Sequence, residues 1–223
     1  MNRGKIITRF RQENPSITTN VATDAVLQSW CEIGNLEFAT RARLIRGETT
    51  WAATVDQDTY DLTSRITNFY DIDELPGDGV VYNNKRLDLE SPASLSAKRS
   101  NWRSASSGTP VDYYRRNQYL VLGRDPSSAE NILVYSILKP DPLDDDGKTP
   151  FNQLTHLEPF HYGLVLYLEM RVYGNKVIRP TSEMTAREEY EAYIEWVKKE
   201  VNRGIYREII FRPPTNSRGR KRR

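Results

Sequence analysis

The chain has 223 residues, of which 38% are hydrophobic and 28% are charged, so it is long and apolar enough to bury a core. Its single cysteine, Cys31, excludes an intramolecular disulfide and a zinc cage built from cysteines. The formal net charge of +2 hides a separation: eight cations and one acid from Arg203 onward give +7 there, which leaves −5 for the first 202 residues.

The N-terminal part of the chain is predicted to contain one helix. Residues 1–15 are polar and basic, lack the apolar stretch of a secretory signal, and are expected to form a loose lead-in. From Thr19 to Ile45 apolar residues recur at spacings of three and four, which indicates an amphipathic helix capped by Thr19, Asn20 or Thr23. Its predicted inner face consists of Leu27, Trp30, Cys31, Gly34, Phe38 and Ala42.

Residues 50–138 have the pattern of a β-domain. Short segments rich in Val, Ile, Tyr and Leu are separated by Asp, Asn, Gly and Pro, which is typical of successive strands. Asn83 and Asn84 are placed for a tight hairpin turn, and a short helix is predicted within residues 91–102. The segment NILVYSIL is apolar on both faces and predicts a strand covered on both sides. A β-sandwich or a small barrel would pack such strands.

The pattern becomes helical again after Pro140 and an acidic loop. The segment HLEPFHYGLVLYLEMRVYG is apolar nearly all round, so its helix must be covered on more than one side, and we expect a neighbouring subunit to supply part of the cover. The residues expected at that subunit interface are Leu166, Tyr167, Met170 and Tyr173. A last helix follows Pro180, with Ser182 or Thr185 as its cap.

Together these patterns predict an α+β fold in three parts. Residues 1–49 and 139–202 are expected to form a bundle of helices from both ends of the chain. Residues 50–138 are expected to form an inserted antiparallel domain, sandwich-like or barrel-like, and residues 203–223 an extended basic C-terminal arm.

No catalytic, metal or cofactor site is predicted. His156 and His161 are five residues apart with a proline between them, whereas a zinc helix needs two histidines four apart. The run Asp144–Asp146 before Gly147 lacks carboxylates at the first and last positions of a calcium loop. The chain has no phosphate-binding loop, and Cys31 lies in an apolar stripe where it is expected to be inert.

The C-terminal arm combines two kinds of residue. An apolar group is expected to dock in the groove of a partner, because disordered tails rarely hold large apolar residues at this density. It comprises Ile205, Tyr206, Ile209, Ile210 and Phe211, followed by Arg212. A terminal group of cations is suited to nucleic-acid phosphates or to an acidic protein surface. It comprises Arg218, Arg220, Lys221, Arg222 and Arg223.

The order of these parts resembles the head-to-tail connector, or adaptor, proteins of tailed bacteriophages, particularly those of short-tailed phages. The resemblance covers about residues 16–202 and is carried by AVLQSWCEIGNLEFA, TYDLT, and PVDYYRRNQYLVLGRDPSSAENILVYSILKP, followed by a helix from near His161. Relatives tend to have Tyr-x-Leu-Pro at the second segment, so Thr63 departs from the pattern.

The resemblance implies a structural virion protein and no enzyme activity or cofactor. It implies a ring of twelve copies beneath the portal, made in the bacterial cytoplasm, that joins the portal protein to a tail or nozzle protein and leaves a channel for genomic double-stranded DNA. It also implies that the C-terminal segment reaches the portal, which makes Ile205–Arg212 the expected portal-docking residues and Arg218–Arg223 the expected electrostatic contact with portal or DNA. No apolar stretch approaches the roughly 18 residues needed to cross a bilayer, so no membrane partner is expected.

Two other function classes stay open at this point. A DNA-binding packaging or regulatory protein could use the basic C-terminus, and its binding would be sensitive to salt. A nuclease with scattered carboxylates would show metal-dependent activity. The acidic first 202 residues favour the adaptor, because DNA sliding through a channel must not stick to its wall.

Overall fold

The computed structural model describes residues 1–75, 78–98, 102, 106–178 and 184–203. These residues fall into two compact units. The helical unit comprises Met1–Ile45 together with the described residues from Pro140 onward, and the β-unit comprises the described residues of Arg46–Lys139. The α+β class predicted from the sequence is confirmed.

The prediction of a loose lead-in at residues 1–15 is wrong, because helix α1 spans Arg3–Glu13. Asn2 caps it by accepting a hydrogen bond from the backbone amide of Lys5. Ile6, Ile7 and Phe10 are buried at helical spacing although the segment is rich in arginine. Burial of this narrow apolar stripe stabilises a helix whose polar surface hides it from a composition-based prediction.

The other long helices of this unit follow the predicted patterns more closely. Helix α2 spans Asp24–Arg41 and is capped by Thr23, one of the three predicted caps. Helix α5 spans Tyr162–Tyr173 and is preceded by two short 3₁₀ turns, Phe151–Gln153 and Thr155–His161. Helix α6 spans Ala186–Arg203, and the predicted cap Thr185 exchanges hydrogen bonds with Glu188, which is a capping box.

The β-unit contains a five-stranded sheet organised around one long strand. Strand β9, Asn131–Leu138, pairs antiparallel with β1 along one side and with β3 and β4 along the other. The remaining members of this sheet are β1 (Arg46–Ala52), β3 (Phe69–Ile72), β4 (Val80–Tyr82) and β5 (Lys85–Arg86). The predicted hairpin turn is confirmed, since Asn83 and Asn84 join β4 to β5 with φ of 46° and 60°.

A second sheet of four short strands contributes to the same hydrophobic core as the first. Its strands are β2 (Thr59–Asp61), β8 (Tyr119–Leu122), β7 (Asp112–Arg116) and β6 (Asp88–Leu89), in that order. The pair β6–β7 is parallel and the others are antiparallel. The barrel-like alternative is corrected, because neither sheet closes on itself in the part of the chain that the structure describes.

Two short helices complete the β-unit. Helix α3 spans Leu62–Arg65, and helix α4 spans Pro92–Lys98 within the predicted helical stretch 91–102. Strand β9 buries Ile132, Val134 and Ser136, whereas its alternate residues Leu133 and Tyr135 are half-buried. The prediction of a strand covered on both sides therefore holds for one face, whereas on the other face Ile137 is buried and the remaining residues are covered only in part.

Candidate functional site

The helical unit is built around α5, the helix that is apolar nearly all round. Its residues 164–168 are at most 1% exposed, and α1, α2 and α6 of the same chain all pack on it. For Leu166 and Tyr167, the cover that the sequence led us to expect from a neighbouring subunit is supplied by the chain itself. Met170 and Tyr173 lie half-buried near the C-terminal end of α5, where they remain available to a partner.

Helices α2 and α5 approach closely because each has a glycine at the contact. A methyl carbon at Gly34 would lie 2.5 Å from Cδ1 of Tyr167, and one at Gly163 would overlap the ring of Phe38. Each aromatic ring thus packs on the bare backbone of the opposite helix. This arrangement fixes the register of the two helices.

Aromatic rings fill the space between α2, α5 and α6. The ring of Phe38 lies 5.7 Å from Phe151 and 5.8 Å from Tyr193, centroid to centroid. Burial raises the pKa of Tyr193 and of Tyr190 above their usual range. Burial also raises the pKa of the Cys31 thiol to about 12, so the thiol is protonated and unreactive at neutral pH, as its apolar position predicted.

The two histidines lie in different surroundings. His156 is exposed, whereas His161 is fully buried beside the ring of Phe151, 5.5 Å away. The terminal amino group of Met1 lies 2.5 Å from Nδ1 of His161. When that group donates as an ammonium, the ring proton of the neutral imidazole is on Nε2, which has no hydrogen-bond partner among the described residues. Burial, and secondarily the ammonium charge, lower the pKa of His161 to about 4.

The acidic loop after Pro140 is tied to α1 and α2. Arg3, which is buried, donates from Nε to Asp146 at 2.7 Å and from Nη1 to the backbone oxygen of Leu143 at 2.7 Å. Gln28 donates to the same Asp146 carboxylate at 3.0 Å. Within the described ranges, no group of three or more His, Cys, Asp or Glu side chains is placed to hold a metal ion.

A shallow groove of about 370 Å³ lies where the ends of α1 and α5 meet. One side is formed by Glu13, Asn14, Pro15 and Ser16, and the other by Tyr173, Lys176, Val177 and Ile178. Val177 is 54% exposed. The predicted interface residue Tyr173 is therefore part of a concave, partly apolar surface.

A second apolar surface lies on the outer side of α2. Val26, Ile33 and Leu36 are 39%, 47% and 44% exposed, and Ser29 lies between them on the same face. We call these four residues the α2 outer face. This face was not predicted from the sequence, because the stronger inner stripe of α2 dominates the pattern and the second set, spaced by three, four and three residues, includes the polar Ser29.

The predicted arm residues lie outside the described residues. This applies to the apolar group Ile205, Tyr206, Ile209, Ile210 and Phe211 with Arg212, and to the basic group Arg218, Arg220, Lys221, Arg222 and Arg223. Their assignment to portal or DNA stays a prediction. In the portion that the structure describes, no helix is long and apolar enough to span a membrane.

Comparison with known proteins gives one family. The model of the family described as SU10 adaptor protein matches residues 1–205, which include both compact units and the whole of α6. The curated proteins include no match to the chain.

Proposed function

Because the chain belongs to the SU10 adaptor protein family, whose members are structural phage proteins and not enzymes, we propose that it forms a ring beneath the portal and joins the capsid to the tail. The observation that carries the proposal is the extent of the family match, which runs from residue 1 to residue 205. The resemblance to head-to-tail adaptors predicted from the sequence is confirmed at the level of the family.

The ring itself is proposed to contain twelve copies, as the resemblance implies. A closed ring needs two different surfaces on each subunit, because each copy contacts one neighbour on either side. The half-buried Met170 and Tyr173 support a contact at the C-terminal end of α5. Among the four residues predicted at the subunit interface, we assign the contact to these two, because Leu166 and Tyr167 are buried in their own chain.

The C-terminal arm is proposed to attach the ring to the portal. Its apolar group, Ile205–Phe211, would be buried in the portal, and Arg218–Arg223 would contact portal acids or the DNA. The opposite side of the ring would meet a tail or nozzle protein. The net charge of −5 on the first 202 residues supports a channel wall that repels DNA phosphates.

Imaging of full-length protein mixed with the portal protein of its phage tests this proposal. We expect a second ring of matching symmetry stacked on the portal and absent from portal alone. Images that show portal without a second ring at every salt concentration would overturn the proposal. Retention of double-stranded DNA by the isolated protein, lost on raising the salt, would instead support the DNA-binding alternative.

A further inference from the structure

We propose that the α2 outer face is a subunit contact, and that it docks into the groove between the ends of α1 and α5 on a second copy of the chain. This inference rests on the proposed ring and adds the two surfaces that would close it. The groove surface is defined by Pro15, Tyr173, Val177 and Ile178, with Lys176 beside them.

Exposed apolar side chains are concentrated at α2. Among the described residues, nine large apolar side chains are exposed, and four of them are Val21, Val26, Ile33 and Leu36. Three of these lie on the α2 outer face, with the small Ser29 between them. Alternating spacings of three and four along 11 residues match the seam by which one helix packs on a partner. Such a cluster on a folded unit indicates a contact surface.

The charge beside this face argues against pairing with an identical face. Val26 and Leu36 are symmetric about residue 31, so antiparallel pairing would place the exposed Glu32 of each copy one residue from the symmetry axis, with the two carboxylates on the same side of the contact. Like charges at such positions destabilise the contact. Parallel pairing would place Glu32 near Glu37 of the second copy, which Arg41 already binds at 3.1 Å, so this pairing is disfavoured because it would leave no second surface to continue a ring. A different surface with a cation is therefore the favoured partner.

The groove between α1 and α5 has that chemistry. It offers the exposed Val177 and the half-buried Tyr173 as apolar contacts, and the exposed Lys176 as a partner for Glu32. The acid in the groove, Glu13, is already bound by Arg9 at 2.8 Å, so it offers little repulsion.

The two surfaces share no residue. Each subunit can therefore present the α2 outer face to one neighbour and the groove to the other, which is the head-to-tail contact that generates a ring. A two-fold dimer would use the same surface twice and would leave no site for a third copy.

Cross-linking between two separately tagged full-length chains tests the pairing. One chain carries Ser29→Cys and the other Val177→Cys, and they are mixed with the portal and treated with a short bifunctional maleimide. We expect a cross-link between the two tagged chains. Cross-links between two Ser29→Cys chains, or from Ser29→Cys to the portal, would overturn the pairing and identify another occupant of the α2 outer face.

Charge reversal gives a second measurement. Glu32→Lys and Lys176→Glu should each reduce the yield of rings several-fold, and the double variant should recover it, because every interface then regains opposite charges. Ile33→Glu should raise the concentration needed for assembly by about tenfold or more, since it buries an unpaired carboxylate. Val111→Glu is the matched control, because Val111 has the same 47% exposure as Ile33 but lies in the β-unit.

The outcomes separate this inference from the proposed function. Rings that form on the portal without the Ser29–Val177 cross-link, and that tolerate Ile33→Glu, would refute the contact and leave the adaptor function intact. Absence of any ring with the unmodified protein would refute both. Circular dichroism of each variant ensures that a lost ring reflects a lost contact and not an unfolded subunit.

Discussion

Gly34 of α2 lies directly against the ring of Tyr167 of α5, so close that a methyl carbon at Gly34 would lie 2.5 Å from the ring. Gly34→Ala should therefore force the two helices apart. We expect a loss of about 1–3 kcal/mol of unfolding free energy, because overpacking outweighs the gain in helix propensity of up to about 1 kcal/mol. Denaturation in urea, followed by circular dichroism, measures it.

Gly4 provides the matched control for this prediction. It lies in the first turn of α1, and a methyl carbon there would meet nothing closer than 3.5 Å. Gly4→Ala should be neutral or stabilising by up to about 1 kcal/mol. Equal losses at both positions would contradict the close approach of α2 and α5.

Arg3 should contribute more to stability than an exposed lysine of the acidic loop. Arg3→Met keeps the aliphatic bulk but removes the hydrogen bonds to Leu143 and Asp146, and we expect a loss of about 1.5–3 kcal/mol. Lys148→Met removes the exposed ion pair with Asp144 and should cost much less, because water and salt screen an exposed pair. Urea titrations of the two variants compare them, and a larger loss for Lys148→Met would contradict the structure.

His161 should make the protein less stable in mild acid. Its folded pKa is about 4 against an ordinary value of 6.5, so between these values the unfolded chain binds the extra proton. The stabilisation is complete above about pH 6.5 and is lost as the pH falls to about 4, by up to roughly 3 kcal/mol. Unfolding free energies of His161→Gln should fall less steeply across this interval. The same change at the exposed His156 is the control, and an equal flattening there would contradict the assignment.

The two groups of the C-terminal arm should respond differently to salt. Replacing Ile209, Ile210 and Phe211 by serine should abolish capture by the portal at every ionic strength, because an apolar contact is not screened. Replacing the cations of Arg218–Arg223 by glutamine should weaken capture mainly at low salt. Pull-down on immobilised portal measures both, and unchanged capture after deletion of residues 205–223 would refute the docking role.

Elements of the fold could be located from the sequence where a single pattern of apolar or turn residues was strong. The stripe Leu27, Cys31 and Phe38 located α2, and Asn83–Asn84 located the β4–β5 turn, because left-handed backbone at both positions favours asparagine. Helix α1 was not predicted because its five charged residues outnumber the three apolar residues that it buries. Its signals were the cap Asn2 and the spacing of Ile6 and Phe10.

The failure to predict helix α1 also explains why a neighbouring subunit was expected to cover Leu166 and Tyr167 of α5. If residues 1–15 form a loop, the chain has too few helices to bury all sides of α5, and a second subunit is then needed to bury the rest. Helix α1 covers the remaining side of α5, and Asn14, which caps the C-terminus of α1, donates to Glu169 of α5 at 3.0 Å. Such pairing of segments 155 residues apart cannot be derived from local periodicity.

The helical unit is formed by two parts of the chain that are separated by the β-unit, and this separation sets the order in which the units can fold during synthesis. Helices α1 and α2 are synthesised first, but α5, on which both pack, is completed only after the whole of Arg46–Lys139 has emerged. At about 5–20 residues per second, this delay is on the order of ten seconds. The inserted β-unit can close its core once its central strand β9 has emerged, whereas α1 and α2 can pack on each other but leave their contact faces for α5 uncovered until α5 is complete. The helical unit can therefore close only after the β-unit has been synthesised, although its first 45 residues leave the ribosome before any of the β-unit.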